Sequence, residues 1–445
     1  MKRGFFFLVV FLLGFSQQFF AQNQPVEISP ERLAARRELG QLGVAYTKDS
    51  FIKQAAEGDT IAVKLFIAAG MAPNIRAKDN YETPMIAAAE NGQTETVNLL
   101  LQSGALSSDK DSNQRTPLIA AAQYGHTETA LFLINRGASI NESDSSGHTA
   151  LVYAAQYGRA ELLKALLAKG AYVRSSNKSS WSALELAARN SCDDCVKMLI
   201  ENGADINEPF SDGQTVLMSV AQHAAVELAQ LLIQKHVDVN AKNAEGFTAL
   251  MFAAGNPRGL PVVRLLLENG ADINAKSLAS ATPVMFAAAL GTPDIIRALF
   301  SRGADLSTEG GSIPGARGSY GVAIWHAISN DKADNVTALM KLNPNWPQKT
   351  RYGASVLGIA ISEASPEMLQ LLISAGLDTN LADQNGQTPL MYAVARGKLK
   401  DVQLLIKAGA DLNAKDKNDQ TAMQRATAAN RADIAKLLQD AGAKN

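Results

Sequence analysis

The sequence has no marked excess of either positive or negative charge. Its 42 lysines and arginines nearly balance its 43 aspartates and glutamates, and the formal net charge is −1 at pH 7. Chains that bind nucleic acid or an acidic membrane surface usually carry a basic excess or a basic patch. The composition therefore gives no indication of a nucleic-acid partner.

Long hydrophobic runs are also absent, apart from one near the N-terminus. Residues 5–15 read FFFLVVFLLGF and follow Lys2 and Arg3. This arrangement is typical of a secretory signal peptide, and the run is short for a membrane-spanning helix. We predict a signal peptide over residues 1–21, cleaved after Ala21 or a few residues later, with an uncleaved anchor as the alternative. No cysteine follows the run, so a lipid anchor on such a residue is excluded, and no membrane association is expected after cleavage.

Motifs of catalysis and metal binding are missing as well. The five histidines show no His-Glu-x-x-His spacing, and the chain has neither a Gly-Lys-Ser phosphate loop nor a Gly-x-Ser-x-Gly elbow. Residues 411–415 begin like a calcium loop, but a lysine, Lys415, occupies the fifth position. We therefore expect no enzymatic activity, no cofactor, no metal site and no small-molecule substrate.

Cysteine is scarce, since only Cys192 and Cys195 occur, within the stretch SCDDCVKML. A zinc site needs two further ligands, which disfavours metal binding. Residues three apart on a helix bring their Cα atoms within disulfide range, and in an oxidising compartment we predict a structural disulfide. Redox activity is the alternative, because a helix N-terminus lowers a thiol pKa, although Asp193 and Asp194 oppose thiolate formation.

The dominant positive feature is an internal repeat. TPMIAAAENGQTETVNLLLQSGA from Thr83 aligns with TPLIAAAQYGHTETALFLINRGA from Thr116 and with TALVYAAQYGRAELLKALLAKGA from Thr149. We call the position of Thr83 the register position. It recurs every 33 residues, with longer steps before Thr282 and Val322, at Thr83, Thr116, Thr149, Ser182, Thr215, Thr248, Thr282, Val322, Ser355, Thr388 and Thr421. With an atypical first copy from Phe51, the repeat occurs twelve times.

Each copy has the local chemistry of two short helices. Thr83 suits a helix N-cap, and Pro84 suits the first helical position, where a missing N–H costs nothing. Small alanines allow close approach of the first helices, and Val97, Leu100 and Leu101 make the apolar stripe of the second helix. Gly104 suits a left-handed cap after the second helix.

The 33-residue period, the Thr-Pro-Leu-x-x-Ala-Ala block and the Gly-Ala-Asp-x-Asn ending, as in residues 203–207 and 270–274, together resemble the ankyrin repeat family. The resemblance implies an all-α ankyrin repeat solenoid of about twelve helix-turn-helix units with β-turn or hairpin fingers. Such an array is curved, and contacts between neighbouring repeats supply its stability.

The copies divide the mature chain into segments. We predict an N-terminal linker and capping helix over residues 22–47, a first block of repeats over 48–308 and a second block over 320–445. Residues 309–319, EGGSIPGARGS, interrupt the repeats and are expected to form a flexible, Gly-rich surface loop. A seam between repeats is expected at this insertion.

The family resemblance also implies where a partner binds, namely the finger tips and the exposed side of the first helices. The residue before each register position and the residue eight after it read Glu82, Arg115, His148, Trp181, Gln214 and Phe247, and Asn91, Tyr124, Tyr157, Asn190 and His223. Aromatic and arginine side chains at solvent-facing positions are typical of binding hot spots. The predicted site comprises Arg115, Tyr124, His148, Tyr157, Trp181, Arg189, Gln214, His223 and Phe247. The alternative is that these rings only cover neighbouring helices.

Together these features predict an exported, non-catalytic scaffold that binds a partner protein in its concave groove. The periplasm or the outside of the cell is the expected location, and periplasmic ankyrin proteins are similar in layout. Two other functions remain open. One is a thiol–disulfide protein that uses Cys192 and Cys195, and the other is a secreted effector that binds host proteins.

Overall fold

The protein is all-helical in the part that this computed structural model describes, which is residues 28–174, 181–317, 321–350 and 353–444. Those residues form 25 helices and no strand, apart from three isolated antiparallel bridges. One N-terminal helix, Pro30–Gln41, precedes twelve helix pairs. The expected fold class and the number of repeats are therefore confirmed, while the predicted signal peptide, residues 1–21, lies outside the described residues.

The helix pairs are numbered 1 to 12 along the chain. They are Lys48–Glu57 with Thr60–Ala68, Pro84–Glu90 with Thr94–Gln102, Pro117–Tyr124 with Thr127–Asn135, Ala150–Gln156 with Ala160–Ala168, Ala183–Arg189 with Asp193–Glu201, Val216–His223 with Val226–Gln234, Ala249–Gly255 with Leu260–Glu268, Pro283–Ala289 with Pro293–Phe300, Ala323–Ser329 with Ala333–Leu342, Val356–Glu363 with Pro366–Ser374, Pro389–Arg396 with Leu399–Lys407, and Ala422–Ala428 with Ala432–Asp440.

The helices form two compact units, Met1–Ser179 and Ser180–Asn445. Pairs 1 to 4 belong to the first unit, and pairs 5 to 12 belong to the second. Each unit is described by itself. Within a unit, the first helices of successive pairs pack against one another, and so do most of the second helices.

The register position starts the first helix of most repeats. The Thr83 hydroxyl accepts a hydrogen bond from the N–H of Ile86 at 3.3 Å, and Pro84 follows as the first helical residue. A side-chain acceptor at this place satisfies an N–H that has no partner inside the helix. The alanines that follow are buried, and Val97 and Leu100 of the second helix are 0% exposed. The core of each unit therefore lies between the two helix layers.

An asparagine in the Gly-Ala-Asp-x-Asn ending links one repeat to the next. The Asn274 side chain donates to the carbonyl of Gly303 at 3.2 Å and accepts from the N–H of Asp305 at 2.9 Å. Asn240 makes the same two bonds to Gly270 and Asp272, each between 2.8 and 2.9 Å. Both halves of the amide are thus used between repeats, which explains why an asparagine closes the ending.

The Gly-rich insertion packs more closely than the sequence indicates. Gly310 forms an antiparallel bridge with Gly321, and the N–H of Gly311 donates to the carbonyl of Ala279 at 2.8 Å. Ile313 is 6% exposed. The expected surface loop is therefore anchored at these residues, because main-chain bonds and one apolar side chain attach the insertion to its own unit.

The insertion also leaves the neighbouring helices in contact. The first helix of pair 8, Pro283–Ala289, packs directly on that of pair 9, Ala323–Ser329. The Asn335 amide of pair 9 donates to the carbonyls of Ala287 and Ala288 at 3.2 and 3.0 Å. The expected seam is therefore not found at this place, and the boundary between the compact units follows Ser179 instead.

The N-terminal helix Pro30–Gln41 covers the first pair. It packs against Thr60–Ala68, and Leu39 is 0% exposed. None of the helices in the described part of the chain has the length and apolar character needed to cross a membrane.

Candidate protein-binding surface

The predicted site residues fall into two groups, one in each compact unit. The group in the first unit comprises Arg115, Tyr124, His148 and Tyr157, and the group in the second comprises Trp181, Arg189, Gln214, His223 and Phe247.

Tyr124 and Tyr157 are the clearest solvent-facing members of the first group. Tyr124 is the last residue of the first helix in pair 3, and Tyr157 follows the first helix of pair 4 directly. Their side chains are 51% and 50% exposed. Two large rings therefore lie at equivalent, solvent-facing positions in successive repeats.

The Arg115 side chain is only 13% exposed, so it supports the Tyr124 ring instead of facing solvent. It is paired with Glu90 at 2.9 Å and with Asp111 at 2.8 Å, and its guanidinium carbon lies 5.8 Å from the Tyr124 ring centroid. Burial lowers the pKa of Arg115, but the bonds to Asp111 and the charge of Glu90 outweigh that effect and the net pKa is raised. Arg115 is thus a fixed cation that holds the ring.

His148 belongs to a row of stacked rings. Its imidazole lies 4.8 Å from the ring of Tyr153, and Tyr153 lies 6.3 Å from Tyr157 with the two planes 1° apart. The Tyr153 hydroxyl donates to the Asp144 carboxylate at 2.7 Å. Burial, together with that hydrogen bond, raises the pKa of Tyr153, so its proton stays on the oxygen. The sequence reasoning missed Tyr153 because it considered only two positions of each repeat.

A cation also covers the outer end of this row. The guanidinium carbon of Arg159 lies 4.9 Å from the Tyr157 ring centroid, and the side chain bonds back to the carbonyl of Ala122. A cation over the face of an aromatic ring is attracted by the ring quadrupole, which favours one position of the ring. The rings His148, Tyr153 and Tyr157 with Arg159 form what we call the tyrosine row.

In the second unit, Arg189 holds Trp181. Its guanidinium carbon lies 5.6 Å from the Trp181 ring and 5.5 Å from the ring of Phe210. Arg189 is also paired with Glu185 at 3.0 Å and with Asp212 at 2.7 Å. Trp181 is 37% exposed, whereas Phe210 is buried. The structure thus brings Trp181 and Arg189 together as expected and adds Phe210 and Glu185, which sequence reasoning missed.

Gln214 and His223 are half-buried and are not part of this ring cluster in the contacts described. The backbone N–H of Gln214 donates to the Asp212 carboxylate at 3.0 Å. A ring nitrogen of His223 lies 2.9 Å from the carbonyl of Ser219, one turn earlier in its own helix.

The structure corrects the prediction that Phe247 belongs to the binding site. Its side chain is 6% exposed, and its ring packs edge-on against Phe252 at 6.0 Å and Phe286 at 5.4 Å. The expectation that Phe247 is a solvent-facing binding residue is wrong, because the two other rings form an apolar cluster around it. Phe247 therefore does not face a partner.

The cysteines are disulfide-bonded. Cys192 is the N-cap of the second helix of pair 5, Cys195 lies in its first turn, and their Cα atoms are 5.2 Å apart. Cys195 is 0% exposed. Burial raises the pKa of Asp193, and the carboxylates of Asp194 and Glu227 add to that rise while His223 opposes it, so three carboxylates lie close together near the bond. Such surroundings disfavour a thiolate.

Comparison with known sequences identifies the repeat. A family model described as ankyrin repeats in three copies matches residues 52–144, 140–210, 207–277, 324–416 and 357–445. No curated protein matches the chain. The unmatched residues between 278 and 323 contain helix pair 8 and the Gly-rich insertion.

Many solved structures match this chain, and one of them is the crystal structure of the ankyrin repeat domain of Bcl-3, described as a unique member of the IkappaB protein family. It shares 29% sequence identity over 50% of this chain and 100% of its own length, with a TM-score of 0.41.

Proposed function

Since the chain belongs to the ankyrin repeat family, whose repeats are generally protein–protein interaction modules and typically non-catalytic, we propose that it is an exported scaffold that holds a partner protein. The proposed contact surface in the first unit is Tyr124 together with the tyrosine row. In the second unit it is Trp181 with Arg189. Within each unit, the proposed location is the concave groove expected of this family.

One observation carries the proposal. Tyr124 and Tyr157 are each about half exposed at equivalent positions of successive repeats, and each ring has an arginine within 6 Å. Exposed rings that are already held in place lose little conformational entropy when a partner covers them. Tyrosine, tryptophan and arginine are also the residues that dominate binding energy at protein interfaces.

Export is the second part of the proposal. It is supported by Lys2, Arg3 and the apolar run of residues 5–15, and it favours the periplasm or the outside of the cell. The test is cell fractionation followed by N-terminal sequencing of the recovered protein. A mature chain that begins near residue 22 in an exported fraction supports it, and a chain that retains Met1 in the cytosol contradicts it.

The binding surface is tested by affinity capture from the native cell envelope, followed by titration with the captured protein. The double substitution Tyr124→Ala/Tyr157→Ala is expected to weaken binding by about ten-fold or more, because each ring is a hot-spot residue. Tyr172→Ala is the matched control, since Tyr172 lies in the same unit and is 69% exposed at a different position of its repeat. Equal affinities of the wild type and the double variant would remove this surface from the proposal.

A further inference from the structure

An apolar pocket lies in the second unit, along the first helices of pairs 6 to 8, apart from every residue of the proposed surface. It has a volume of about 320 Å³. Its apolar walls are Phe252, Pro257, Phe286, Leu290 and Pro314. We call it the apolar pocket.

Gly255 opens this pocket. At the same position, seven residues after the register position, earlier repeats carry the long polar side chains Glu90, Gln123, Gln156, Arg189 and Gln222. A Cβ at Gly255 would lie 3.5 Å from Phe286 Cδ1 and 3.6 Å from Leu290 Cδ1, which is ordinary contact. The packing therefore does not require a glycine here, and the glycine leaves empty space where other repeats have a side chain.

The other walls come from the two places where the repeat is interrupted. Pro257 belongs to the inter-helix turn with the extra residue, and Asn256 fixes that turn by donating to the carbonyl of Gln222 at 2.8 Å and accepting from the N–H of Arg258 at 2.8 Å. Pro314 belongs to the Gly-rich insertion, beside the buried Ile313. Two unrelated departures from the repeat thus meet at one pocket.

The lining sets the chemistry of the occupant. The polar residues that line the pocket are the amides Gln222 and Asn256, and no lining residue is charged. Leu290 stands where earlier repeats have Asn91, Tyr124, Tyr157 and Asn190. A volume of this size is at the lower end for a ligand site and suits one large apolar side chain better than a whole folded surface.

The chain around the pocket carries positive charge. Arg258 and Arg317 follow the lining prolines by one and three positions, and both are exposed. Within the described part of the chain, neither guanidinium is paired with a carboxylate. Both arginines adjoin lining residues along the chain, so an acidic residue next to the apolar side chain complements their charge.

We propose that the apolar pocket binds an extended segment of a partner protein through one large apolar side chain flanked by an acidic residue. This inference rests on the proposed scaffold function, but it concerns different residues. The two proposals can be disproved independently, because the tyrosine substitutions leave the apolar pocket intact and a filled pocket leaves the tyrosine row intact.

The experiment uses the full chain and a phage library of random linear peptides as the probe. Selected peptides are then measured by fluorescence polarisation against purified variants. Gly255→Leu fills the pocket, and we expect it to weaken binding by about ten-fold or more, since burying one large apolar side chain is worth roughly 1.5–3 kcal/mol. Gly255→Ala is the matched control, and it should leave the affinity within about two-fold because a methyl group fits without displacing Phe286.

A second pair of substitutions covers the case in which Gly255→Leu fails to fold, as judged by its melting curve. Arg258→Glu/Arg317→Glu changes only exposed residues and should weaken the acidic peptides while sparing variants of them in which the acid is replaced by its amide. Enriched sequences that combine an aromatic or aliphatic residue with Asp or Glu, and that respond in this way, support the proposal. It is overturned if selection enriches nothing, if the selected peptides ignore both substitutions, or if only Tyr124→Ala/Tyr157→Ala affects them.

Discussion

The guanidinium carbon of Arg189 lies 5.6 Å from the ring of Trp181, while Nε of the same arginine lies 3.0 Å from a carboxylate oxygen of Glu185. Glu185 is 1% exposed, whereas Trp181 is 37% exposed. One side chain therefore neutralises a buried acid on one side and holds an exposed ring on the other. Arg189 therefore serves both stability and the proposed binding surface, and substitutions are needed to measure its contribution to each.

Arg189→Ala is expected to lower the free energy of unfolding of the second unit by about 2 kcal/mol, because it leaves a buried carboxylate with fewer partners. Ser211 still donates to Glu185 at 3.0 Å, which limits the loss. Arg297→Ala is the control, since its ion pair with Asp294 is exposed and is worth about 0.5 kcal/mol or less. Urea denaturation measures both, and losses of equal size would contradict the structural role of Arg189.

Phe247→Ala is expected to destabilise the second unit by about 3–5 kcal/mol, because the ring is buried against two other phenylalanines. Tyr124→Ala, at an exposed ring, should change the stability of the first unit by about 0.5 kcal/mol or less. Thermal or urea unfolding of the two variants distinguishes a ring that packs from a ring that is available to a partner. A negligible effect of Phe247→Ala would restore its assignment to the binding surface.

The repeat and its helices could be predicted from the sequence because their determinants are local. Thr83, Pro84 and Gly104 each act within a few residues of their own position, and a fixed period reveals them. Phe247 was misjudged because its burial depends on Phe286, which belongs to the next repeat.

The candidate site was harder to predict, for a related reason. Arg115 was identified from its position, but its role follows from Glu90 and Asp111, which lie in two different segments of the chain. The apolar pocket could not be foreseen, since it depends on where an extra turn residue and a distant insertion come together in space.

Acidification is expected to weaken the second unit through His326. This imidazole is 2% exposed, and one ring nitrogen lies 3.1 Å from the carbonyl of Gly310. Burial lowers its pKa below the ordinary 6.5, and the bond to Gly310 opposes that effect only in part. The unfolded chain then binds the proton more readily than the folded chain, so stability falls as pH drops through 6.5 and levels off below the folded pKa.

The measurement is urea denaturation over a pH series, with His326→Gln as the comparison. Carboxylates contribute equally to both proteins. The difference between the two slopes of unfolding free energy against pH therefore gives the contribution of His326. We expect the wild type to lose more stability than the variant between about pH 7 and about pH 5. Parallel curves would show that the buried imidazole does not control this dependence.

The disulfide is expected to be structural. Native protein should show no free thiol in a titration, because the sulfur atoms of Cys192 and Cys195 are bonded to each other. Cys192→Ser/Cys195→Thr should cost about 2 kcal/mol or less, since the closed loop is very short. Threonine suits the second position because Thr129 occupies it in pair 3. Readily reduced cysteines that catalyse disulfide exchange would instead support the thiol–disulfide function.

The asparagine hydrogen bonds between repeats indicate where a foreign sequence can be inserted. Asn240 reaches Gly270 and Asp272 although the extra residue at Asn256–Pro257 lies between them in the chain, while Asn274 makes the same bonds across an ordinary step. The lengthening is taken up in the turn between the helices, at the opposite end of the pair from the amide. Loops inserted into such a turn should leave the repeats in register. A single residue added between helix pair 6 and Asn240 would instead break the bonds of Asn240 to both Gly270 and Asp272.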